Sequence, residues 1–378
     1  MDLTLTAEQE AIRDNFARFC NEQIKPRAEA IDEAEEFPRE MFGKVADLGF
    51  FEMRYPEEDG GVNAGVVACC LALEEICRGS MSLGAVCLMQ GFMGTYFLQR
   101  LGSTDLKDRL FRPALSGEKL GTICMTEPNA GSDLFGMSTR AEPVDGGWVL
   151  NGQKMWITSA PVADFFTVFA RVGDPESRDM GIFLVEKGNP GLQVGRSIRK
   201  LGVRSSITSE LALDDCRVEQ THVLGEPGRG LAYLRGILDE IRIVTAAMAV
   251  GGARGALEES LAYAKERVQF GRPISKYQAI RFKFADMATE MEVARQMTYY
   301  AAAKSDADLP RTKEAAMAKL FASEAAFRVC DQAARIMAAY GYAMEYSIQR
   351  HLRDIRFTLI GGGTSEMMKL IIARELGT

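Results

Sequence analysis

The spacing of apolar residues changes twice along the 378-residue chain, and this double change limits the folds that the chain can adopt. Apolar residues recur at helical spacing to about residue 116, alternate or form short runs from Leu120, and return to helical spacing from Gly230 onward. We therefore predict an N-terminal helical domain over 1–119, a compact β domain over 120–228 and a C-terminal helical bundle over 229–378. A chain of this length commonly divides into several domains.

Local signals at element ends support this division. Residues 6–9 form a capping-box pattern before the first helix. Asp145-Gly146 stands between two apolar runs and predicts a β-hairpin. In the bundle, long helical patterns cover 278–302, 312–340 and 367–375. Short connections marked by Gly or Pro join these patterns, which favours helices packed side by side.

Composition and residue counts exclude several classes of protein. The net charge of -7 lacks the basic footprint of a nucleic-acid binder. Eight scattered cysteines without metal-ligand spacing, and only two histidines, predict reduced thiols in a cytoplasmic protein and no metal site. The uncharged stretch 79–99 contains Gly, Ser, Thr and Gln, which favours a buried helix over a membrane span. The first nine residues show no signal-peptide pattern.

Three stretches carry residues suited to binding a ligand. Gly361, Gly362 and Gly363 let the backbone approach a flat or bulky group, although a flexible turn between helices is the alternative interpretation. The loop 126–133 combines hydroxyls and small residues around a proline, which can expose backbone N–H groups. Trp156 and Thr158 lie two apart on a predicted strand and so share a face, where a structural core tryptophan is the alternative.

Four motifs together resemble the acyl-CoA dehydrogenase family, and they span nearly the whole chain in the family's order and spacing. They are Thr126-Glu127-Pro128-Asn129-Ala130-Gly131-Ser132-Asp133, Trp156-Ile157-Thr158, Arg267-Val268-Gln269-Phe270-Gly271-Arg272-Pro273-Ile274 with Gln278, and Gly363-Thr364-Ser365-Glu366. The resemblance implies a mainly α fold with a central β-barrel, with FAD held between barrel and bundle. It also implies an acyl-CoA substrate, a homotetramer and an electron-transfer flavoprotein as electron acceptor.

The resemblance assigns cofactor and substrate roles to individual residues. The stretch 123–132 lines the flavin pyrimidine edge, the Trp156 strand covers the flavin face, and Thr364 and Glu366 hold FAD from the bundle. A neighbouring subunit supplies the guanidinium of Arg267 and the residues around it. The implied FAD-binding set is Ile123, Met125, Thr126, Gly131, Ser132, Trp156, Ile157, Thr158, Arg267, Gln269, Phe270, Tyr277, Gln278, Arg335, Ala338, Ala339, Thr364 and Glu366. The implied substrate-binding set is Ser132, Asp239, Arg242, Gln90 and Gly363.

The chain departs from the family pattern at one cofactor position. Relatives usually have a Gln followed by two glycines where this chain has Arg335 and, after Ile336 and Met337, Ala338-Ala339. The substitutions place methyl groups where backbone lies against the cofactor, and they add a charge that could pair with phosphate.

A second departure removes the usual catalytic base. Many relatives carry a Glu before the Gly-Thr pair, where this chain has Gly362, and others carry one before the Arg of the first bundle helix, where this chain has Ile241. A third family location, in the first domain, has no acid between residues 81 and 99. Glu240 is the best candidate for a displaced base, although one residue on a helix means about 100° of rotation away from the substrate face.

Three explanations follow from the empty positions. Glu240 acts as a displaced base; the reaction needs no α-proton base, as in enoyl-CoA reduction, decarboxylation or elimination; or the chain binds flavin and CoA without turnover. We expect a working flavoenzyme and place α,β-desaturation of an acyl-CoA first. A flavin-free helical interaction protein is the alternative from another class.

Overall fold

The computed structural model describes residues 4–174 and 177–378. Helices come first, a β sheet follows, and long helices complete the fold. The three-domain architecture expected from the sequence is confirmed, with the β part forming an open half-barrel sheet. The largest apolar core extends from the first helices into the bundle, so the two helical parts pack as one body around the sheet's inner edge.

The N-terminal part is built from short helices packed around two buried ones. Thr6 caps the first helix with the predicted capping box, in which its side chain accepts from the backbone of Gln9. The helices are α1 (Ala7–Phe19), α2 (Ala28–Ala34), α3 (Arg39–Asp47), α4 (Gly65–Gly79), α5 (Met81–Leu88), α6 (Tyr96–Leu101), α7 (Thr104–Leu106) and α8 (Arg112–Leu115).

A π-helical turn, Met89–Gly94, joins α5 to α6. Such turns are rare and often occur at functional sites. The stretch Met81–Leu101 is long and apolar enough to cross a membrane, but 89% of its most apolar window is buried inside this fold, as in the core helix of a soluble protein. The prediction of a buried helix over this stretch therefore agrees with the structure.

Seven strands of the described chain form one mixed sheet in the order β1-β4-β2-β3-β7-β6, with β5 paired to β4. The predicted hairpin at Asp145-Gly146 is present, because β2 and β3 pair antiparallel around it and Gly146 has φ 77°. The strands are β1 (Gly121–Cys124), β2 (Arg140–Val144), β3 (Gly147–Thr158), β4 (Phe165–Arg171), β5 (Met180–Glu186), β6 (Leu192–Ser197) and β7 (Thr208–Glu219).

The C-terminal part is a bundle of long helices followed by two shorter ones. A small hairpin of β8 (Val268–Gln269) and β9 (Arg272–Pro273) separates the first two helices. The helices are α9 (Gly230–Glu266), α10 (Gln278–Asp306), α11 (Thr312–Met337), α12 (Ile348–Ile355) and α13 (Ser365–Glu375). Alanines dominate the buried face of α11, which lets it pack closely against α9.

A buried ionic network joins α4 to the bundle. Glu74 and Glu75 are almost fully buried, and Arg254 of α9 contacts both carboxylates, each at 2.5 Å. Arg295 of α10 adds a contact to Glu74 at 3.2 Å, and Arg78 pairs with Glu75 at 2.7 Å. Each buried charge therefore has a partner, which is the condition under which carboxylates persist inside a protein.

Candidate active site

An apolar cavity of about 50 Å³ lies where α5, β3, α9 and the C-terminal glycine segment meet. Thr158 closes the sheet side, and Gly362 closes the bundle side. Of the described residues, none that lines the cavity is acidic or basic. The lining residues are Ala85, Leu88, Met89, Met93, Thr158, Ile241, Thr245, Met248, Phe357 and Gly362.

Gly362 and Ile241, the two positions at which the family resemblance predicts a base, line the same cavity. Gly362 adopts φ 68°, and a Cβ at this position would lie 2.9 Å from Oγ1 of Thr245 and 3.7 Å from Cγ2 of Ile241. Thr245 is held in place by donating its hydroxyl to the Ile241 carbonyl at 2.7 Å. A Cβ at residue 362 would therefore be crowded by the Thr245 hydroxyl of α9.

Glu240 points to a different neighbourhood. Its carboxylate accepts from Nε of Arg54 at 2.7 Å and lies 3.8 Å from Arg311. The Arg54 guanidinium also stacks on the ring of Tyr96, 5.0 Å from the centroid. Glu240 is not among the residues that line the cavity. The rotation expected from the helix period explains this placement, because Ile241 faces the cavity instead.

Asp239 and Arg242 form an ion pair one turn along the same helix. Nη1 of Arg242 donates to Asp239 at 2.8 Å, and Thr312 donates to the second carboxylate oxygen at 2.7 Å. Burial lowers the pKa of Arg242 despite this partner. Nε of Arg242 is buried and has no hydrogen-bond partner in the described chain.

Sequence reasoning missed Lys319 of α11, which is fully buried and donates its ammonium to the carbonyl of Gly363 at 2.5 Å. A lysine on a long helix ordinarily indicates a solvated face, so its residue type gave no signal. Its position among the alanines at 315, 316 and 318, on the side that packs against α9, was the available clue.

The loop 126–133 lies beside the end of β3. The backbone of Met155 donates to the carbonyl of Thr126 at 2.8 Å, and Thr122 donates to the carbonyl of Thr158 at 2.7 Å. Trp156 is 54% exposed and has φ 63° within a β-bulge, so its large ring stands free on the sheet surface. A Cβ on Gly131 would meet nothing within 4 Å, which leaves open space beside this loop.

Glu127 anchors the loop 126–133 to the neighbouring backbone and to Lys154. It is buried and accepts from the backbone of Ser138 at 2.6 Å, from the backbone of Thr139 at 3.0 Å and from Nζ of Lys154 at 2.8 Å. Lys154 lowers the pKa of Glu127, with these hydrogen bonds, to about 2 even though burial opposes the shift. The acid of the motif is therefore a structural anchor, and the hydroxyls and amides around it remain for a ligand.

The predicted inter-subunit group lies on the exposed hairpin and the start of α10. Phe270 is 94% exposed at φ 50°, and the hydroxyl of Tyr277 donates to the carbonyl of Gln269 at 2.8 Å. The Arg267 guanidinium lies 5.4 Å from the centroid of Tyr340. Phe270 is therefore a highly exposed aromatic ring on the same hairpin segment as Arg267.

Three further site residues have positions that refine their predicted roles. Gln90 is fully buried, donates to the carbonyls of Ala114 and Lys119, and accepts from the backbone of Gly121. Its side chain therefore connects the helical domain to β1, and it is not among the residues that line the cavity. Arg335 is exposed and pairs with Asp331 at 2.6 Å. Ala338 adopts φ 54° and ψ -127°, a conformation that favours glycine.

Thr364 has a local structural role in addition to any contact with a ligand. Its side chain caps α13 by accepting from the backbone of Met367, which fixes the end of the glycine segment. Glu366 sits in the first turn of that helix and is exposed.

The described residues thus combine a helical domain, a half-barrel sheet and a helical bundle around an apolar cavity flanked by an exposed tryptophan, which defines a flavin-dependent dehydrogenase of CoA thioesters. Family models for the acyl-CoA dehydrogenase N-terminal, middle and C-terminal domains match residues 6–118, 122–216 and 228–377. The chain belongs to the acyl-CoA dehydrogenase family, and it is an FAD-dependent enzyme.

Three similar proteins illustrate the relationship. Benzylmalonyl-CoA dehydrogenase from Aromatoleum aromaticum is 58% identical, with 100% of both chains covered. The structure of butyryl-CoA dehydrogenase from Megasphaera elsdenii superposes with a TM-score of 0.96 at 34% identity, covering 100% of both chains. The FAD complex of PigA superposes with a TM-score of 0.95 at 31% identity, covering 100% of this chain and 99% of PigA.

Proposed function

We propose that this enzyme oxidises an acyl-CoA that carries a carboxylate on its α-carbon, and that loss of CO₂ replaces removal of the α proton. The observation that carries this proposal is the cavity wall, where Gly362 and Ile241 occupy both usual base positions and no acidic residue of the described chain takes their place. A general base must lie within hydrogen-bond reach of the proton it removes. Glu240, the displaced candidate, is instead engaged by Arg54 at 2.7 Å, so we assign it a structural role.

The proposed reaction balances without a base. The bond between the α-carbon and the carboxylate breaks, CO₂ leaves, and the electron pair stays on the α-carbon as a thioester enolate. A hydride then departs from the β-carbon, and the enolate pair forms the new carbon–carbon double bond. FAD, when bound, accepts that hydride. The products are an α,β-unsaturated acyl-CoA and CO₂, and the α hydrogen of the substrate is retained.

The chain's own groups serve this chemistry at two places. Apolar side chains such as Ile241 and Phe357 exclude water from the cavity, which disfavours a charged carboxylate relative to neutral CO₂. The backbone N–H groups of Gly362 and Gly363 donate no hydrogen bond within the described chain, so they are available to the thioester oxygen as negative charge develops there.

The 58% identical relative is named for benzylmalonyl-CoA, whose carboxylate is on the α-carbon. We propose a substrate of the same class, a malonyl-type thioester with an aromatic substituent. Met89, Met93 and Met248 line the cavity, and thioethers adapt their shape and make favourable contacts with aromatic rings. The small cavity of about 50 Å³ therefore has a wall that can repack around a ring.

We also propose the assembly, the electron acceptor and the location of the enzyme. The exposed Phe270 hairpin supports a homotetramer in which this group reaches a neighbour's FAD. Membership of the family supports an electron-transfer flavoprotein as the acceptor. Eight free cysteines, all buried, support a reducing cytoplasmic location.

The test is anaerobic mixing of the FAD-loaded enzyme with benzylmalonyl-CoA and, separately, with 3-phenylpropanoyl-CoA, which differs only by lacking the carboxylate. We expect benzylmalonyl-CoA to bleach the oxidised flavin and release one CO₂ per flavin reduced. We expect 3-phenylpropanoyl-CoA to bind and to bleach at least about 100-fold more slowly. Rapid bleaching by the uncarboxylated thioester would refute the proposal.

A further inference from the structure

A buried cation lies directly behind the glycine segment 361–364. Lys319 has no exposed surface, and its Nζ donates to Gly363 at 2.5 Å. Among the described residues, no carboxylate comes within 4 Å of this ammonium to form an ion pair. The acids that act most on the pKa of Lys319 are Glu324 and the exposed Glu366. Glu324 accepts a hydrogen bond from Ser365 at 2.7 Å. Burial lowers the pKa of Lys319 to about 8.

Arg242 adds a second buried cation to the same region. The positive charge of Arg242 contributes to lowering the pKa of Lys319, so the two side chains interact electrostatically between α9 and α11. Asp239 pairs with Arg242 through Nη1 only, while the buried Nε has no partner in the described chain. Buried donors are nearly always satisfied, so this one represents binding capacity that the chain itself does not use.

The glycine segment lies between the ammonium of Lys319 and the cavity. Gly363 contacts Lys319 on one side, while the adjacent Gly362 faces Thr245 and Ile241 on the cavity side. No side chain at residue 362 intervenes. Coulomb interactions extend further in a region of low dielectric constant than in water, so we infer that the ammonium of Lys319 acts on a ligand in the cavity, whereas Asp239 offsets the charge of Arg242.

We propose that the buried ammonium of Lys319 creates a positive potential that selects acyl-CoA thioesters carrying an α-carboxylate, with the ligand supplying a counter-charge, because no described carboxylate lies within 4 Å of Nζ. This inference rests on the proposed function and adds the group that determines specificity. Lys319 acts through the glycine segment as a positioning residue. Its contribution is to binding, because the apolar wall, rather than the cation, favours departure of CO₂.

The experiment compares malonyl-CoA with acetyl-CoA, which differ only by the carboxylate and have no β-carbon hydrogen to transfer. Dissociation constants are measured by calorimetry on the FAD-loaded enzyme. We expect the wild type to bind malonyl-CoA at least about 10-fold more tightly than acetyl-CoA. Lys319→Met should lose this preference while its affinity for acetyl-CoA is unchanged. Lys319→Arg should retain the preference. Lys200→Met is the matched control, because Lys200 also donates to a backbone carbonyl, that of Ser206 at 3.0 Å, but lies in the β domain.

A second measurement uses only the wild type, so it does not depend on the variants folding. The preference for malonyl-CoA should decline as pH rises through about 8, where Lys319 loses its proton. The charged groups facing Lys319 are Glu324 on its own helix, Glu366 on α13 and Arg242 on α9.

The outcomes separate this inference from the proposed function. If Lys319→Met keeps the preference for malonyl-CoA, or weakens both ligands equally, Lys319 has only a structural role and the inference is wrong. If the wild type preference does not change with pH around 8, the inference is also wrong. If the wild type fails to release CO₂ from benzylmalonyl-CoA, the proposed function itself is wrong, whatever the affinities show.

Discussion

Helix α9 passes through two regions that differ in whether they contain buried carboxylates. Around Arg254, the carboxylates of Glu74 and Glu75 lie deep in the protein and are each held by guanidinium groups. Around Ile241, the cavity wall has no carboxylate, yet Arg242 and Lys319 lie buried nearby. This fold can therefore bury acids when their partners are present. The missing acid at the cavity is a property of the site. Of the two cations, Arg242 is paired with Asp239, whereas Lys319 has no ion-pair partner among the described residues, and we infer that the ligand brings the negative charge.

The largest expected effect concerns the paired region. Arg254→Met removes the shared partner of Glu74 and Glu75 and leaves each buried carboxylate with one guanidinium, that of Arg295 or Arg78, so the free energy of unfolding should fall by about 3 kcal/mol. Arg328→Met is the matched control, because Arg328 pairs with Glu290 on the surface and should cost about 1 kcal/mol or less. Chemical denaturation measures both. Equal losses in the two variants would show that the network does not stabilise the helix junction.

The second-largest expected effect comes from adding a carboxylate to the cavity. Gly362→Glu places a carboxylate beside the position of the substrate carboxylate, in a space where even Cβ comes 2.9 Å from Thr245. We expect kcat/KM for benzylmalonyl-CoA to fall by about 100-fold or more, from like-charge repulsion and crowding. Gly362→Ala, with the same backbone strain but no charge, should lose much less activity. A Gly362→Glu variant that turns over this substrate faster than wild type would contradict the comparison.

A third prediction concerns the buried ion pair of Glu127 and Lys154 at the loop 126–133. The pKa of Glu127 is lowered from its ordinary value of 4.5 to about 2, so its pairing with Lys154 stabilises the fold fully above pH 4.5 and less as pH falls toward 2. The free energy of unfolding should drop by about 2 kcal/mol over this interval. Glu127→Gln, measured by denaturation at each pH, should be less stable at neutral pH and should lack this part of the acid dependence. Identical pH profiles would remove Glu127 as its source.

The smallest effect involves no charge. Ala338 holds φ 54° where relatives usually have glycine, so Ala338→Gly should relieve strain and raise the free energy of unfolding by about 1 kcal/mol. Ala339→Gly is the neighbouring control, because Ala339 does not have positive φ and the substitution should cost about 0.5–1 kcal/mol. Thermal melting of both variants checks the sign. A stabilised Ala339→Gly or a destabilised Ala338→Gly would show that the strain is absent.

Local patterns were sufficient to predict most of the fold. The capping box at Thr6, the hairpin at Asp145-Gly146 and the return of helical spacing at Gly230 each depend on residues close together in sequence. The family motifs implied that the Trp156 strand and the segment 363–366 hold one cofactor from opposite sides, and in the structure Thr158 and Gly362, about 200 residues apart, line the same cavity. Both kinds of signal are carried by residue type at fixed spacing, which a single sequence displays.

Contacts that depend on packing could not be read in the same way. The π-helical turn over Met89–Gly94 lies in a stretch that is apolar on all sides, so its period did not reveal which side Gln90 would face. Lys319 and the pair Glu74-Glu75 have residue types that usually indicate solvent. Their partners, Gly363 and Arg254, lie on other helices, and only the packed bundle brings them within reach.

The most direct measurement of the central claim follows the α hydrogen through one turnover. Benzylmalonyl-CoA deuterated at the α-carbon is mixed with excess FAD-loaded enzyme, and the enoyl-CoA product is analysed by mass spectrometry, corrected for exchange in a sample without enzyme. Loss of CO₂ in place of proton removal predicts that the product keeps its deuterium at the α-carbon. Loss of that deuterium at the rate of flavin reduction would show that a base removes the proton, and Glu240→Gln would then be the first variant to test.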